Sequence, residues 1–153
     1  MNTVQTFIDL LKAELEQSFT PHGYTVQARE PVESEVGEGS TGPGERQVFI
    51  STGGFSFPEG IADFGGTVRV EVPVIVSTVM GFPKSEEATA AVLRRRLTVV
   101  QALQRAAQSH ATAHPDQVLN LVVDDEEPQN IEGYYVSVVG LLLTFDLDTQ
   151  EEL

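Results

Sequence analysis

The chain contains no cysteine among its 153 residues. This absence excludes disulfides, zinc sites built on thiolates and cysteine nucleophiles, and it favours a cytosolic origin over a secreted one. Basic residues are also scarce, with 9 Lys and Arg against 23 Asp and Glu and a net charge of −14. Such a chain lacks the cations that neutralise nucleic-acid phosphates or anionic lipid headgroups. We therefore expect no general affinity for nucleic acid or for an anionic membrane.

Long hydrophobic runs and nucleotide-binding motifs are missing as well. No apolar stretch approaches the ~18 residues of a membrane span. Residues 1–17 lack a basic start and carry acids within their apolar pattern, which argues against a signal peptide. Gly53-Gly54 and Gly65-Gly66 match no phosphate-binding loop, and no G-x-S-x-G motif is present. We expect a soluble protein without a cofactor that is cytosolic when made and is not an enzyme.

Residues 67–80 are the most regular stretch of the chain. Valine occupies every second position from Val68 to Val76, a period of two that is typical of a strand. At ~3.3 Å per residue this strand would extend about 45 Å, beyond the usual five or six residues. Pro73 has no N–H to donate, so we predict that the strand lies at a sheet edge or is bulged there. This pattern indicates a β-ribbon that projects beyond the domain.

Two amphipathic helices are predicted. The first covers residues 3–19, where apolar residues recur every three or four positions. The second begins at Ser85, a good N-cap residue, and runs to about His110. Its predicted apolar stripe consists of Val92, Leu93, Val99, Val100, Leu103 and Ala107.

The remaining regular segments favour strands. They cover residues 24–29, 46–52, 117–123 and 134–147. The last has apolar residues on both faces, so we expect it to be central or covered on both sides. The resulting order is α-β-β-β-α-β-β. We predict a single α+β domain spanning residues 1–153, with a mixed or antiparallel sheet of about five strands, two of them long, and two main helices packed on one face.

Two segments lack helix or strand patterns. Residues 30–45 combine Pro, Gly, Ser and glutamate with almost nothing apolar, so we predict a mobile acidic surface loop. A loop of this length either stays mobile or orders on a partner. Residues 53–66 place Phe55 and Phe57 among glycines. These aromatic side chains either pack over a core edge or form a contact patch.

Two groups of residues resemble metal ligands only weakly. His110 and His114 are four residues apart, but no Glu follows His110 as in a zinc-protease helix, and Pro115 ends the helix. We interpret them as a solvent-exposed helix end. The carboxylates of residues 124–127 suit a hard cation, yet they lack the alternation and glycine of a calcium-binding loop. We interpret this run as a solvated turn, and a small metal-dependent enzyme remains the least favoured function.

Arg94, Arg95 and Arg96 concentrate positive charge in an acidic chain. Arg96 falls within the predicted apolar stripe, whereas Arg94 shares the wet face with Arg105. Such a cluster either forms ion pairs within the chain or engages carboxylates of a neighbouring subunit. The sequence leaves both interpretations open.

The pattern of elements resembles that of bacteriophage and prophage tail-terminator (tail-completion) proteins. The features that carry the resemblance are the N-terminal helix, the valine-rich strand at 67–80, the helix with three arginines at 94–96 and the closing unit EEPQNIEGYYVSVVGLLLTFDL at 126–147. Residues 30–45 have no counterpart in this pattern.

The resemblance implies a ring, usually a hexamer, that caps the completed tail tube and forms the head–tail joint. Its implied partners are further copies of itself, the tail tube protein and head–tail connector proteins, with DNA passing through but not specifically bound. It implies a virion tail location after assembly in the host cytoplasm, and no catalytic, cofactor-binding or metal-binding residues. The alternative is a non-catalytic adaptor domain of another assembly. The residues that we predict at the subunit or partner interface are Arg94, Arg95, Arg96, Phe55, Phe57, Arg69, Glu71 and Pro73.

Overall fold

The computed structural model describes residues 3–29, 46–54, 56–57, 67–81, 85–115, 120–125, 129–131 and 134–148. Within these ranges the elements are α1 (Thr3–Phe19), a 3-10 turn (Thr20–His22), β1 (Thr25–Gln27), β2 (Gln47–Thr52), β3 (Thr67–Gly81), α2 (Ser85–Ala113), β4 (Asn120–Asp125), β5 (Gln129–Ile131) and β6 (Tyr134–Asp148). The acidic loop predicted at 30–45 lies outside the described residues.

The described strands form one mixed sheet in the order β1-β2-β3-β6-β4, with β5 pairing beside one end of β6. β1 runs parallel to β2, and the other pairs are antiparallel. The predicted α+β class is therefore confirmed, with one short strand more than expected. β6 lies between β3 and β4, as its two apolar faces indicate.

The core lies between one face of the sheet and the two helices. Alternate residues of β3, from Val70 to Val76, are at most 2% exposed, and their partners on β6 include Leu143 and Leu141. The side chains of Phe7 and Leu11 from α1 and Leu103 from α2 belong to the same buried cluster. Both helices therefore pack on one face of the sheet, where the long aliphatic strands bury their apolar side chains.

The buried stripe of α2 differs from the predicted one. It contains Val99, Ala102, Leu103, Ala106 and His110, whereas Leu93 is 57% exposed. The prediction gave weight to large aliphatic residues and passed over Ala102 and Ala106. Because alanine is small, it lets a helix approach its neighbours closely, and the core-facing side of α2 is rotated accordingly.

Pro73 does not lie on an edge strand, and the register between β3 and β6 runs unbroken from Thr67 to Gly81. Instead, β2 stops pairing at Thr52, opposite Val74. The amide of Gly53 donates to the carbonyl oxygen of Pro73 at 2.9 Å. Since N–H and C=O of one strand residue point to the same side, the missing donor of Pro73 faces the place where β2 ends.

The region predicted as a turn after the fourth strand contains further strand. β4 extends through Asp124 and Asp125, and β5 adds Gln129–Ile131 against β6. The prediction was wrong there because acidic residues have low strand propensity, which pairing with β6 overrides.

The chain after α1 turns sharply before it enters β1. Gly23 has φ of +83°, a conformation that glycine adopts without a Cβ clash. The following residue, Tyr24, is 4% exposed, and its ring packs edge-to-face on Phe19 with centroids 5.1 Å apart. This contact holds Tyr24 close to the N-terminal half of α2, which carries the three arginines.

The two long strands extend beyond their neighbours. β3 and β6 pair over fifteen residues each, but β2 pairs only with residues 74–79 of β3 and β4 only with residues 139–144 of β6. One end of the ribbon, residues 67–70 with 145–148, therefore continues past both flanking strands. Val70 and Phe145 at this end are 2% and 5% exposed and belong to the buried core, so this part of the ribbon lies on the domain, and projection beyond the domain stays a prediction.

Candidate functional site

Among the described residues, no group of three or more His, Asp or Glu side chains is placed to hold a metal ion. Asp124 and Asp125 are neighbours on β4, and Glu126 lies outside the described residues. No helix in the described ranges is long and apolar enough to cross a membrane.

The histidine pair is not the solvent-exposed helix end that we predicted. α2 continues to Ala113, and His110 is completely buried, with its ring centroid 4.9 Å from that of His114. Neither ring nitrogen of His110 has a hydrogen-bond partner among the described residues. Burial lowers the pKa of His110 below its ordinary value of 6.5, and the nearby His114 lowers it further. Both effects favour the neutral form of His110.

The three consecutive arginines have different surroundings. Arg94 is exposed, and Arg96 is half-buried with a partner inside the chain. Arg95 is also half-buried: its Nε donates to the Tyr24 hydroxyl oxygen at 2.9 Å, and its guanidinium carbon lies 5.2 Å from the Tyr24 ring centroid. Arg95 thus serves a contact within the chain, and Arg94 is the arginine most open to a partner.

Arg69, Glu71 and Pro73 lie at alternate positions of β3, on the face opposite the helices. Arg69 is exposed, whereas Glu71 and Pro73 are half-buried. Glu71 exchanges two backbone hydrogen bonds of 2.9 Å with Ser56, whose hydroxyl also donates to the Glu71 carboxylate at 3.4 Å. The segment around Ser56 therefore adds a short bridge to the free side of β3.

The two aromatic residues predicted at the interface have different outcomes. Phe57 follows the Ser56 bridge and is 40% exposed, so its ring is available for contact. Phe55 lies outside the described residues. The contact patch of these two aromatic residues stays a prediction.

The predicted interface residues do not form one site. The arginines belong to α2, which covers the core-facing side of the sheet, while Arg69, Glu71 and Pro73 occupy its other side. A protein that uses both sets has two contact surfaces, one on the helix layer and one on the ribbon.

Sequence reasoning missed two residues on the helix surface. Leu93 and Leu97, one turn apart on α2, are 57% and 54% exposed. Together with Phe57 they are the large hydrophobic side chains that stand exposed in the described part of the chain. Leu93 was assigned to the buried stripe, and the signal that would have corrected it is the Ala102–Ala106 pair, which marks the true buried side.

A shallow groove between α1 and α2 contains polar contacts between side chains of the two helices. Its lining includes Glu14, Arg105 and Gln108. Arg105 Nε lies 2.9 Å from the Glu14 carboxylate, and its Nη2 donates to the Ser18 hydroxyl at 2.8 Å. The groove is thus crossed by an ion pair that ties the two helices together.

The chain matches no protein-family model, and no curated protein matches it significantly. The surface features that the structure itself presents are a long ribbon, an exposed Arg94 and two exposed leucines on α2.

Proposed function

We propose that this protein is a structural, ring-forming component of a phage or prophage tail, which caps the tail tube and joins it to the head. The observation that carries the proposal is the ribbon of β3 and β6, paired over fifteen residues while β2 and β4 each cover six. One face of the ribbon forms part of the core of the chain, and where the ribbon extends past β2 and β4 its other face and its backbone are open to a neighbouring subunit or tube. The type of assembly, a ring at the end of a tail tube, is inferred from the resemblance of the order of elements to that of tail-terminator proteins.

Charge and surface chemistry are compatible with this role. The chain carries a net charge of −14, so a ring of copies would repel DNA that passes through its opening. The three predicted interface residues on β3 lie on the face away from the helices. A subunit could therefore contact one neighbour through its ribbon and another through its helix layer. This arrangement is heterologous, and heterologous contacts close into rings when the rotation between subunits fits.

The proposal is tested by the mass of the protein in solution across a concentration series, with negative-stain images of the same samples. We expect ring-shaped particles of uniform diameter, or a shift from monomer to ring as concentration rises. In the phage or prophage that encodes the protein, disrupting the gene should leave heads and tails unjoined. Intact, joined particles made without the protein would contradict the proposal.

A non-catalytic adaptor domain is the second candidate, and the exposed leucines of α2 favour it. Leu93 and Leu97 would dock an unrelated protein as readily as a copy of the same chain. The same experiment distinguishes the two functions. An adaptor remains monomeric or dimeric at every concentration and is absent from purified particles.

A further inference from the structure

The C-terminal end of α2 carries two histidines four residues apart, His110 and His114. Residues at this spacing lie one turn apart on the same face of a helix. The amide of His114 donates to the carbonyl oxygen of His110 at 2.8 Å. This bond has the pattern of an α-helix, so the helical turn extends to His114 although α2 ends at Ala113. The backbone therefore holds the two side chains side by side.

The separation of the two imidazole rings is compatible with two ligands of one metal ion. Their centroids are 4.9 Å apart, and their planes are inclined by 44°. An imidazole nitrogen binds Zn²⁺ at about 2.0–2.1 Å. Two imidazoles that hold one ion at angles of about 90–110° therefore have ring centroids about 5 Å apart. The observed separation agrees with this value.

The ring of His110 lacks a partner within the described part of the chain. It is completely buried, and neither of its nitrogens has a hydrogen-bond partner there. A neutral imidazole has one N–H donor and one nitrogen lone pair, and a buried polar group without a partner costs free energy. A bound ion is one of the ways in which folded proteins satisfy such a group. An ion between the two rings would accept the lone pair of His110.

We propose that His110 and His114 together bind one transition-metal ion of the class of Zn²⁺, Ni²⁺ and Cu²⁺. Imidazole suits these ions, whereas Mg²⁺ and Ca²⁺ prefer oxygen ligands. His114 is half-buried between the exposed residues Ala113 and Pro115, so the ion reaches the pair from the solvent side of His114, where water completes its coordination. The lowered pKa of His110 favours the neutral imidazole that a metal ion requires.

Two features of the sequence argued against a metal ion at this pair. Pro115 was expected to end the helix beside His114, yet the helical hydrogen bond from His114 to His110 is present. The missing Glu after His110 excludes a zinc protease, in which that residue is the general base. It does not prevent two imidazoles from binding an ion. The ion therefore has a binding role that requires no catalytic base.

The bound ion stabilises the end of α2. An ion that bridges His110 and His114 keeps the turn between them helical, and because it binds the folded chain it raises the Tm as its concentration increases. The affinity is modest, since the site has two protein ligands and, within the described residues, no acceptor for the second ring nitrogen of His110. This inference is independent of the proposed ring assembly.

The composition of the chain allows a direct test, because it has three histidines and no cysteine. The full chain, purified without a histidine tag and treated with a chelator, is titrated with Cu²⁺, Ni²⁺ and Zn²⁺ by calorimetry. We expect one ion per chain, with Cu²⁺ bound most tightly. His114→Asn should lower the affinity at least about tenfold, since loss of a ligand costs no less than loss of a residue that supports one. His22→Asn, at the third histidine, is the matched control and should bind as the wild type does.

Electron paramagnetic resonance of the Cu²⁺ complex identifies the ligands without relying on a variant. We expect nitrogen hyperfine coupling from two imidazoles in the wild type and from one in His114→Asn, whose fold is checked by circular dichroism. Zn²⁺ should raise the Tm of the wild type more than that of His114→Asn, and Mg²⁺ should not distinguish the two. A wild type that binds no ion, that shows no coupling from two imidazoles, or that binds no more tightly than His114→Asn would overturn the inference.

Discussion

The Nε of Arg95 donates a hydrogen bond of 2.9 Å to the hydroxyl of Tyr24, which is 71 positions earlier in the chain. The same guanidinium lies over the Tyr24 ring, 5.2 Å from its centroid. This pair connects α2 to the segment between α1 and β1. It also means that a charge reversal at Arg95 would disturb the fold as well as any interface, so Arg94 is the better position for probing subunit contacts.

We expect Tyr24→Phe to lower the free energy of unfolding by about 1 kcal/mol, because it removes the hydrogen bond and keeps the ring. Arg95→Leu should cost more, since it also removes the cation–π contact, which is worth roughly 0.5–1 kcal/mol at a partly exposed site. Urea denaturation of the two single variants and the double variant gives the coupling energy. Additive effects in this cycle would mean that the pair contributes nothing, and Arg94→Leu should leave stability nearly unchanged.

His110 should make the stability of the fold sensitive to mild acid. Its pKa is lowered in the folded state by burial and by His114, so the folded protein binds this proton more weakly than the unfolded chain does. The stabilisation is therefore complete above the ordinary pKa of 6.5 and is lost as the pH falls below it. We expect the Tm to drop more steeply between about pH 7 and pH 5 in the wild type than in His110→Leu.

The control for this effect is His22→Asn, because His22 is exposed in the turn after α1. That variant should follow the wild-type pH profile, and His114→Asn should reduce the steepness in part. Parallel profiles for the wild type and His110→Leu would refute the assignment, because carboxylate titration alone would then account for the pH dependence.

The fold is largely readable from the sequence where large apolar residues carry the pattern. α1 has its predicted bounds, and the alternating valines of β3 give its buried face correctly. Prediction from the sequence is wrong where tertiary packing determines which residues are buried or form strands. Alanines and a histidine contribute to the buried side of α2. Asp124 and Asp125 belong to a strand because they pair with β6.

The candidate site was only partly foreseeable, for a related reason. A leucine on an amphipathic helix is normally assigned to the core, so the exposure of Leu93 and Leu97 becomes visible only when the rotation of α2 is known. The contact of Arg95 with Tyr24 joins residues far apart in sequence, and local periodicity carries no information about such pairs.

The ion pair between α1 and α2 should be worth more than a neighbouring pair on α1 itself. Arg105 Nε is 2.9 Å from Glu14, whose side chain is 19% exposed, whereas Lys12 and Glu16 are 3.7 Å apart and 42% and 49% exposed. We expect Glu14→Gln to cost up to about 1 kcal/mol and Glu16→Gln at most a few tenths. Chemical denaturation in urea at low and high salt checks this, because the difference should shrink as salt screens the charges.

The end of β2 gives the sharpest steric prediction. A Cβ on Gly53 would lie 3.1 Å from Pro73 Cγ, whereas a Cβ on Gly54 meets no heavy atom of the described residues within 4 Å. Replacing a glycine by alanine stabilises by about 0.4–1 kcal/mol through the unfolded chain where the folded state tolerates it, so Gly54→Ala should be neutral or stabilising. Gly53→Ala must displace the proline ring and should be less stable than Gly54→Ala by roughly 1 kcal/mol.

The same pair of variants in a Pro73→Ala background isolates the cause. Alanine at position 73 removes Cγ, the nearest atom at 3.1 Å, and keeps Cβ at 3.3 Å, so the difference between the two alanine variants should shrink. If it persists undiminished, the requirement for glycine does not come from the proline ring. The outcome bears on the ribbon, because the amide of Gly53 donates to the carbonyl of Pro73 at the point where β3 runs on beyond β2. A clash there would loosen the contact that continues the pairing of β2 with β3 past Thr52, while this half of β3 stays paired with β6.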